Sequence, residues 1–241
     1  MINNIPLSQE QQQLILGSLL GDGYCNRNRQ FIRFYHCGKQ REYLEYKYSF
    51  FNSNEIYGIY KRNYKEGYIG YSFEFPNIKH KYDNLYSYIG KHLYSNKGRK
   101  KISPSYLENL TSLGLAFWWM DDGSLCKSKG NRWGKLCTEC FNYEEQILLQ
   151  KYFQSTWGIS VDIKLEKNKY YFLRFNVSAL RKLIAIIYPY VCMVPSMIYK
   201  IDLDYTNQKC IGDFKEIYDY IKNYRQNNVL ITSTLTTAGC A

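Results

Sequence analysis

The feature that most restricts the fold is a nine-residue pattern that occurs twice, at residues 15–23 and 115–123. In each copy an apolar segment ends in an aspartate and a glycine, and the two aspartates, Asp22 and Asp122, are 100 positions apart (122 − 22). An apolar run that stops at glycine is typical of a buried helix and its C-terminal cap. An acid at that end of a helix is disfavoured by about 0.3–1 kcal/mol, because the helix dipole is negative there. Two such acids at matching positions therefore indicate a duplicated fold with a shared site that holds something positive.

The first copy also carries signals for the start and the packing of its helix. Ser8 and Gln11 have the spacing of a capping box, which predicts a helix from about Gln9 to Asp22. Gly17 and Gly21 are four residues apart and leave one face of that helix nearly bare. We therefore expect a second backbone to approach this face closely.

The rest of the chain predicts the order helix-strand-strand-helix-strand-strand-helix in each half, which is an internal duplication. We expect the first half at 1–110, the second half at 111–212 and a third segment at 213–241. The third segment is expected to contain a helix at 213–224 and an uncharged tail at 229–241. The predicted helices are at 9–22, 39–52, 77–94, 112–122, 143–157 and 178–187, and the predicted strands are at 29–35, 57–63, 68–75, 159–165 and 169–176, with a further hairpin at 127–140.

Composition narrows the class of partner. The 241-residue chain has 45% hydrophobic residues, enough for a packed core, and a net charge of +11, which favours a polyanion. No apolar run reaches the roughly 18 residues of a membrane-spanning helix. Residues 1–13 are polar and unlike a signal peptide. These features favour nucleic acid over a membrane as the partner, and an intracellular location.

The eight cysteines are scattered through the chain, which is typical of reduced thiols. Cys137 and Cys140 form one C-x-x-C, but no second pair follows at the spacing of a zinc site. Packed thiols are favoured over structural zinc, although the spacing does not decide whether this pair binds a metal.

Four segments in order resemble the LAGLIDADG homing endonucleases, in the single-chain branch with two motifs. They are the two nine-residue copies, of which the second reads aromatic-aromatic-Met-Asp-Asp-Gly, and the lysine-bearing segments 100–104 and 194–200. The resemblance spans residues 9–200. It implies an α+β fold, a pseudo-twofold duplicated αββαββα arrangement with two saddle-shaped antiparallel sheets. It also implies a monomeric, Mg²⁺-dependent enzyme that cuts both strands of a long asymmetric DNA site and leaves short 3′ overhangs.

The resemblance also implies the active site. Asp22 and Asp122 are expected to meet across the pseudo-twofold axis and to share two or more Mg²⁺ ions, because carboxylate oxygens suit this cation. Gly21 and Asp121 complete the expected metal site, with Asp121 as a neighbour rather than a main ligand. The catalytic lysines map onto Lys101 and Lys200, which follow the aspartates by 79 and 78 positions.

The outward faces of the strands are expected to form a basic DNA-binding surface, since arginine and lysine contact phosphates and can read guanine in the major groove. The candidate DNA-binding residues are Arg27, Arg29, Arg33, Lys61, Arg62, Lys129, Arg132, Lys164 and Arg174.

Alternative functions remain open. An RNA-binding intron maturase on the same fold is one, with intron RNA as its partner, although the two acids and two lysines favour cleavage. A non-catalytic DNA-binding regulator is less favoured, because the chain beyond the repeat has room for only one more helix. A histidine-metal nuclease is disfavoured, because His36, His80 and His92 form no motif. Frequent Tyr, Lys, Asn and Ile, which have A/T-rich codons, suit an A/T-rich genome, such as that of an organelle (a mitochondrion, for example), a phage or certain bacteria, and the location follows the host gene.

Overall fold

The protein is described by a computed structural model that covers residues 5–63, 67–128 and 131–203, with Ile217, Asp219, Lys222 and Asn223 beyond them. The predicted order of elements is confirmed in both halves. The first half consists of α1 (Gln9–Leu20), β1 (Tyr24–Asn26), β2 (Phe31–Cys37), α2 (Arg41–Tyr48), β3 (Tyr60–Asn63), β4 (Ile69–Pro76) and α3 (Asp83–Leu93). A short helix, α4 (Pro104–Leu107), leads to the second half, which consists of α5 (Ser112–Asp122), β5 (Gly123–Ser128), β6 (Asn131–Leu136), α6 (Tyr143–Trp157), β7 (Asp162–Glu166), β8 (Tyr170–Phe175) and α7 (Val177–Val191).

Local side-chain caps fix where the long helices begin. The Ser8 hydroxyl accepts a hydrogen bond from the Gln11 N–H while the Gln11 side chain accepts one from the Ser8 N–H, so the predicted capping box is present. Asn142 and Glu145 form the same arrangement at the start of α6. A cap of this kind contributes about 1 kcal/mol to the stability of the helix. Because its two residues are only three positions apart, the start of such a helix can be identified from the sequence.

Each half contains one four-stranded antiparallel sheet, in the order β1-β2-β4-β3 and β5-β6-β8-β7. In the first sheet Phe34 lies opposite Phe73, and in the second Leu136 lies opposite Leu173. These four side chains are at most 1% exposed, so one face of each sheet packs into the core. Residues of the opposite parity point to the other face, which we call the outer face of each sheet.

Helices α1 and α5 pack together along the pseudo-twofold axis. A Cβ atom at Gly17 would collide with the carbonyl of Gly114 and lie 3.0 Å from the Cβ of Phe117. The close approach predicted from the bare glycine face is therefore present. Phe117 opposes this glycine and packs its ring against Tyr46 and Phe50 of the first half, so the interface sets a large side chain against a small one.

The structure differs from the predicted elements at several ends. Helix α1 stops at Leu20, and the predicted helix at 39–52 divides into a 3₁₀ turn at Gly38–Gln40 and α2. No bounds were predicted for strand β1, and helix α4 was not predicted. The short length of each element explains this, because three or four residues give too little pattern to detect. The predicted helix at 213–224 and the tail lie largely or wholly outside the described residues.

Candidate active site and nucleic-acid surface

The two motif aspartates lie where the packed helices end. Helix α1 is followed by Gly21, and Asp22 is the next residue, whereas α5 extends to Asp122 and is capped by Gly123. A Cβ atom at Gly21 would lie 2.5 Å from the Cβ of Asp121, so the two helix ends are nearly in contact. This close approach brings one carboxylate from each half to a single location.

The electrostatics of the pair reflect that proximity. Burial raises the pKa of Asp122, and the neighbouring carboxylates Asp121 and Asp22 raise it as well, so that it reaches about 8 although Lys100 and Lys200 oppose the shift. The pKa of Asp22 is also raised, first by burial and then by Asp121, although Lys47, Lys200 and Lys100 oppose the shift. Carboxylates that resist ionisation together are a place where a bound cation is favoured.

A lysine contacts each helix end through equivalent backbone atoms. Lys100 Nζ donates to the carbonyls of Gly21 at 2.9 Å and Gly23 at 3.1 Å. Lys200 Nζ donates to the carbonyls of Asp121 at 3.3 Å and Gly123 at 2.6 Å. These are matching positions of the two motifs, so Lys100 and Lys200 are the symmetry-related pair.

The expected pairing of Lys101 with Lys200 is therefore corrected by one residue. Lys100 follows Asp22 by 78 positions (100 − 22), and Lys200 follows Asp122 by 78 (200 − 122). Lys100 forms an isolated antiparallel β-bridge with Tyr94, and the Lys101 N–H donates to the Leu93 carbonyl. The backbone at residues 100–101 is therefore extended. Successive side chains of an extended chain point to opposite sides, which turns Lys101 away from the aspartates.

The Asp121 carboxylate lies in a buried polar cluster that the sequence did not reveal. Its Oδ1 accepts hydrogen bonds from Lys47 Nζ at 2.7 Å and from the Tyr43 hydroxyl at 2.8 Å. Lys47 Nζ also lies 3.0 Å from His36 Nε2. The side chains of Asp121, Lys47 and His36 are at most 1% exposed. We call Asp121, Lys47, Tyr43 and His36 the buried cluster.

Protonation in the buried cluster follows from its geometry. Burial, with help from the Lys47 ammonium, lowers the pKa of His36 to about 3, so the imidazole is neutral and accepts from Lys47. The ammonium and the Asp121 carboxylate then form a buried ion pair. The only sequence signal was the spacing of Tyr43 and Lys47, which places both on one face of α2.

Two sets of ligands near the helix ends could hold a metal. Ligand atoms of Asp22, His36 and Asp121 lie within 4.8 Å of one another. However, Lys47 Nζ already contacts His36 and Asp121, so a cation bound by all three would compete with this ammonium. The carboxylates of Asp22 and Asp122, with the carbonyls of Gly21 and Asp121, give an all-oxygen set, and oxygen ligands suit Mg²⁺ better. Each of these carbonyls also accepts a hydrogen bond from a lysine, so the two carboxylates are the main ligands of this set. Oδ2 of Asp121 is buried without a hydrogen-bond partner in the described part of the chain, which is a further unsatisfied oxygen in this region.

The cysteine pair lies next to the second aspartate. The Cys137 N–H donates to the Asp122 carbonyl at 3.1 Å, and the Cys140 carbonyl accepts from Arg99 at 3.2 Å. Both thiols are free cysteines. Burial raises the pKa of Cys137 to about 11 and raises that of Cys140, so both remain protonated at neutral pH. Cys137 is half-buried and Cys140 is exposed, so the packed-thiol interpretation fits Cys137 in part and does not fit Cys140.

On the first sheet, the predicted DNA-binding residues fall on different sides. Arg33 and Arg62 lie on the outer face, where Arg33 bonds to Glu74 and Arg62 Nε donates to the Ser72 hydroxyl at 3.2 Å. Lys61 lies opposite Tyr71, which packs against the core, so this lysine points to the other side of the edge strand. The remaining two predicted residues, Arg27 and Arg29, follow β1 in the turn to β2.

On the second sheet, Lys164 and Arg174 lie on the outer face as predicted, because they have the parity opposite to that of the buried Leu173. Arg132 has the parity of Leu136, so it points to the helix-packed side. Lys129 lies outside the described residues. Lys135 and Trp133, which are not among the candidate residues, share the outer face. Lys135 Nζ lies 4.5 Å from the centre of the Phe172 ring, and Arg174 Cζ lies 5.3 Å from that of Trp133.

Comparison with known proteins gives consistent results. The model of the LAGLIDADG DNA endonuclease family matches residues 12–183. A solved structure described as the homing endonuclease I-WcaI bound to its DNA recognition sequence is 26% identical, with a TM-score of 0.69, and the match covers 83% of this chain and 88% of that one. A probable intron-encoded endonuclease 1 of Wickerhamomyces canadensis is 28% identical over 172 residues, which cover 68% of this chain and 72% of that protein.

Two further relatives are named as other kinds of protein, a RecA protein and an mRNA maturase. Protein RecA of Mycobacterium shimoidei is 32% identical over 211 residues, which cover 81% of this chain and 47% of that protein. The cytochrome b mRNA maturase bI2 of Saccharomyces cerevisiae is 31% identical over 226 residues, which cover 83% of this chain and 49% of that protein. The chain thus spans about half the length of these curated relatives. Within the described ranges, no helix is both long and apolar enough to cross a membrane.

Proposed function

Because this chain belongs to the LAGLIDADG DNA endonuclease family, we propose that it is a Mg²⁺-dependent, site-specific endonuclease that cuts both strands of double-stranded DNA. The observation that carries the proposal is the twofold-related pair of sites, each with one aspartate, one motif carbonyl and one lysine. Two equivalent sites suit a substrate with two antiparallel strands, and one chain provides both.

Each group has a role in this proposal. Asp22 and Asp122, with the carbonyls of Gly21 and Asp121, would hold the metal ions, which supply an activated water and neutralise charge on the phosphate that is cleaved. Lys100 and Lys200 hold the carbonyls at the helix ends and place a positive charge beside each reacting strand. Burial lowers the pKa of both lysines, which eases the exchange of a proton with water or the leaving oxygen.

The DNA would lie across the outer faces of the two sheets. Arg62 on the first face and Lys164 and Arg174 on the second offer positive charge to it, and the net charge of +11 favours binding over a wide area. Because the two faces carry different residues, the proposed target is a long asymmetric sequence read by a monomer. Membership of the family adds the expectation that cleavage leaves short 3′ overhangs. The relative described as a homing endonuclease bound to its recognition sequence supports this arrangement.

The test begins with the selection of duplexes from a randomised library in EDTA, where binding can be scored without cleavage. Selected duplexes are then incubated with Mg²⁺ and the wild-type chain, or with a chain that carries Asp22→Asn and Asp122→Asn. We expect the wild type to cut both strands only with Mg²⁺ and the variant to bind but not cut. Cleavage by the variant at the wild-type rate, or cleavage in EDTA, would contradict the proposal.

A maturase is the second candidate, and a specific observation favours it, namely the 31% identity to a cytochrome b mRNA maturase. Splicing assistance would use a surface that binds intron RNA and would not need the aspartates. The double Asn variant separates the two functions, since it should retain any splicing activity on the host intron while it loses DNA cleavage.

A further inference from the structure

An arginine and a glutamate are paired at the centre of the outer face of the first sheet. Arg33 on β2 lies opposite Glu74 on β4, and β1 covers its other side with Tyr24. Arg33 Nε and Nη2 donate to the same oxygen, Glu74 Oε1, at 2.8 and 2.6 Å. The two side chains are 39% and 23% exposed, so the pair is open to a ligand that lies on this face.

The guanidinium of Arg33 is also held from a second direction. It lies over the ring of Phe31 at 5.2 Å, and this ring in turn makes an edge contact with Tyr24. An exposed ion pair contributes at most about 1 kcal/mol to stability, so the pair adds little to the fold. Its main effect is to fix the orientation of a cationic donor before anything binds.

Arg33 and Glu74 keep hydrogen-bonding groups that the contacts between them do not use. Arginine has five N–H groups, and the contacts with Glu74 use two of them, which leaves three donors and the Glu74 oxygen Oε2. In the major groove guanine presents two acceptors, O6 and N7, and cytosine presents the N4 amino donor. A fixed arginine matches the two acceptors of guanine, and the adjacent carboxylate matches the amino donor of cytosine. A phosphate is a poorer ligand for this pair, because the carboxylate would repel it.

The second sheet differs at the matching positions. Tyr24 and Ser124 each directly follow the repeated Asp-Gly, and they lie opposite Arg33 and Lys135, respectively. Lys135 therefore occupies the place of Arg33 in the second sheet. Arg174 then occupies the place of Glu74. A cation thus replaces the anion opposite Lys135. The carboxylates that pair with Lys135 are instead Glu139 at 2.9 Å and Glu166 at 2.8 Å, so the second half arranges its cation and its acids differently.

From this geometry we infer that Arg33 and Glu74 read one G·C step in the half of the target under the first sheet. Arg33 donates to guanine O6 and N7, and Glu74 accepts from the N4 amino group of a cytosine in the same or the adjacent base pair. The inference rests on the proposed function, because it requires DNA on the outer face. It adds a specificity-determining pair, one member of which is an acid in a surface expected to be basic.

The test compares the sequence preferences of four chains, the wild type, Arg33→Ala, Glu74→Gln and the control Lys91→Ala, by selection from a randomised duplex library in EDTA. Lys91 is an exposed cation on α3, a helix that packs into the core and lies off the outer face, so it is a control for the loss of one positive charge. We expect Arg33→Ala to weaken binding of the selected target by about five- to hundredfold and to remove the preference at one guanine only. Glu74→Gln should relax the preference for cytosine at the same or the adjacent pair, and Lys91→Ala should leave the profile unchanged.

Other outcomes would overturn the inference. A phosphate contact would instead weaken binding to all sequences alike and lower the slope of log affinity against log salt by about one. An unchanged profile in both variants would also overturn it while the proposed endonuclease stands. If the wild type enriches no duplex at all, the proposed function fails, and this inference fails with it. Melting curves of all four chains verify that the surface changes leave the fold intact.

Discussion

The two halves of the molecule place the same chemistry at their helix ends but surround it differently. Lys100 and Lys200 make equivalent contacts with the motif carbonyls. Gly21, by contrast, corresponds to Asp121, which is buried against Lys47. The buried residues of α2, Tyr43, Leu44 and Lys47, have the same spacing as Glu145, Gln146 and Leu149 in α6, so a leucine replaces the lysine there.

This difference shows what a duplicated fold can change and what it retains. The groups nearest the proposed reaction are matched, as two equivalent strands of the proposed substrate would require. Beside them, an acid and a lysine are present together on one side only, which is the expected compensation when a charge is buried. The same asymmetry recurs on the outer faces, where Arg33 and Glu74 correspond to Lys135 and Arg174.

The largest effect is expected from the matched aspartates. Asp22→Asn or Asp122→Asn removes a metal-binding charge and should lower double-strand cleavage by about a thousandfold or more, since a metal contributes several kcal/mol and 1.36 kcal/mol is tenfold in rate. DNA binding should persist. Cleavage is measured on a supercoiled plasmid that carries the selected site, with Glu108→Gln as the control for an exposed acid. If one variant keeps the wild-type rate, the two sites are not equivalent.

The buried cluster offers the next largest effect and tests the asymmetry directly. Lys47→Leu or Asp121→Ala leaves one buried charge without its partner, which should cost about 3–5 kcal/mol of unfolding free energy. The double variant should lose less than the sum of the two, because no unpaired charge remains. Urea denaturation of the four chains gives the coupling free energy. Additive losses would show that the ion pair does not bind the halves together.

Lys100 and Lys101 provide a matched pair of adjacent lysines. Lys100→Met should lower the cleavage rate by roughly 10- to 100-fold, the range for groups that orient metal ligands, with little change in DNA affinity. Lys101→Met should change the rate less than twofold, because its side chain points away from the aspartates. The measurement is single-turnover cleavage at saturating protein. A larger loss in Lys101→Met would restore the assignment expected from the sequence.

The smallest expected effect concerns the pH dependence of stability in EDTA. Because the pKa of Asp122 is raised from 3.8 to about 8, the folded protein keeps a proton that the unfolded chain releases. The resulting stability is present below the lower value and is lost as pH rises through the higher one. Asp122→Asn removes this loss, so its melting temperature should exceed that of the wild type by at least about 3 °C at pH 9, about 1 kcal/mol, and by less at pH 5. Equal differences at both pH values would show that Asp122 ionises freely.

The sequence alone determined the duplicated plan of this protein. The repeated Asp-Gly motifs, the capping box at Ser8 and the bare face at Gly17 all depend on residues within a few positions of one another, where the helical and extended repeats fix what is adjacent. The long helices and the close approach of α1 to α5 could be predicted for that reason.

The tertiary structure alone decided which side chains meet. Lys100 rather than Lys101 faces the aspartates because one step along an extended segment reverses the direction of a side chain. Lys47 reaches Asp121 across 74 positions, and Arg33 reaches Glu74 across 41. Contacts of this kind depend on strand register and on how two helices cross, and no local pattern encodes either.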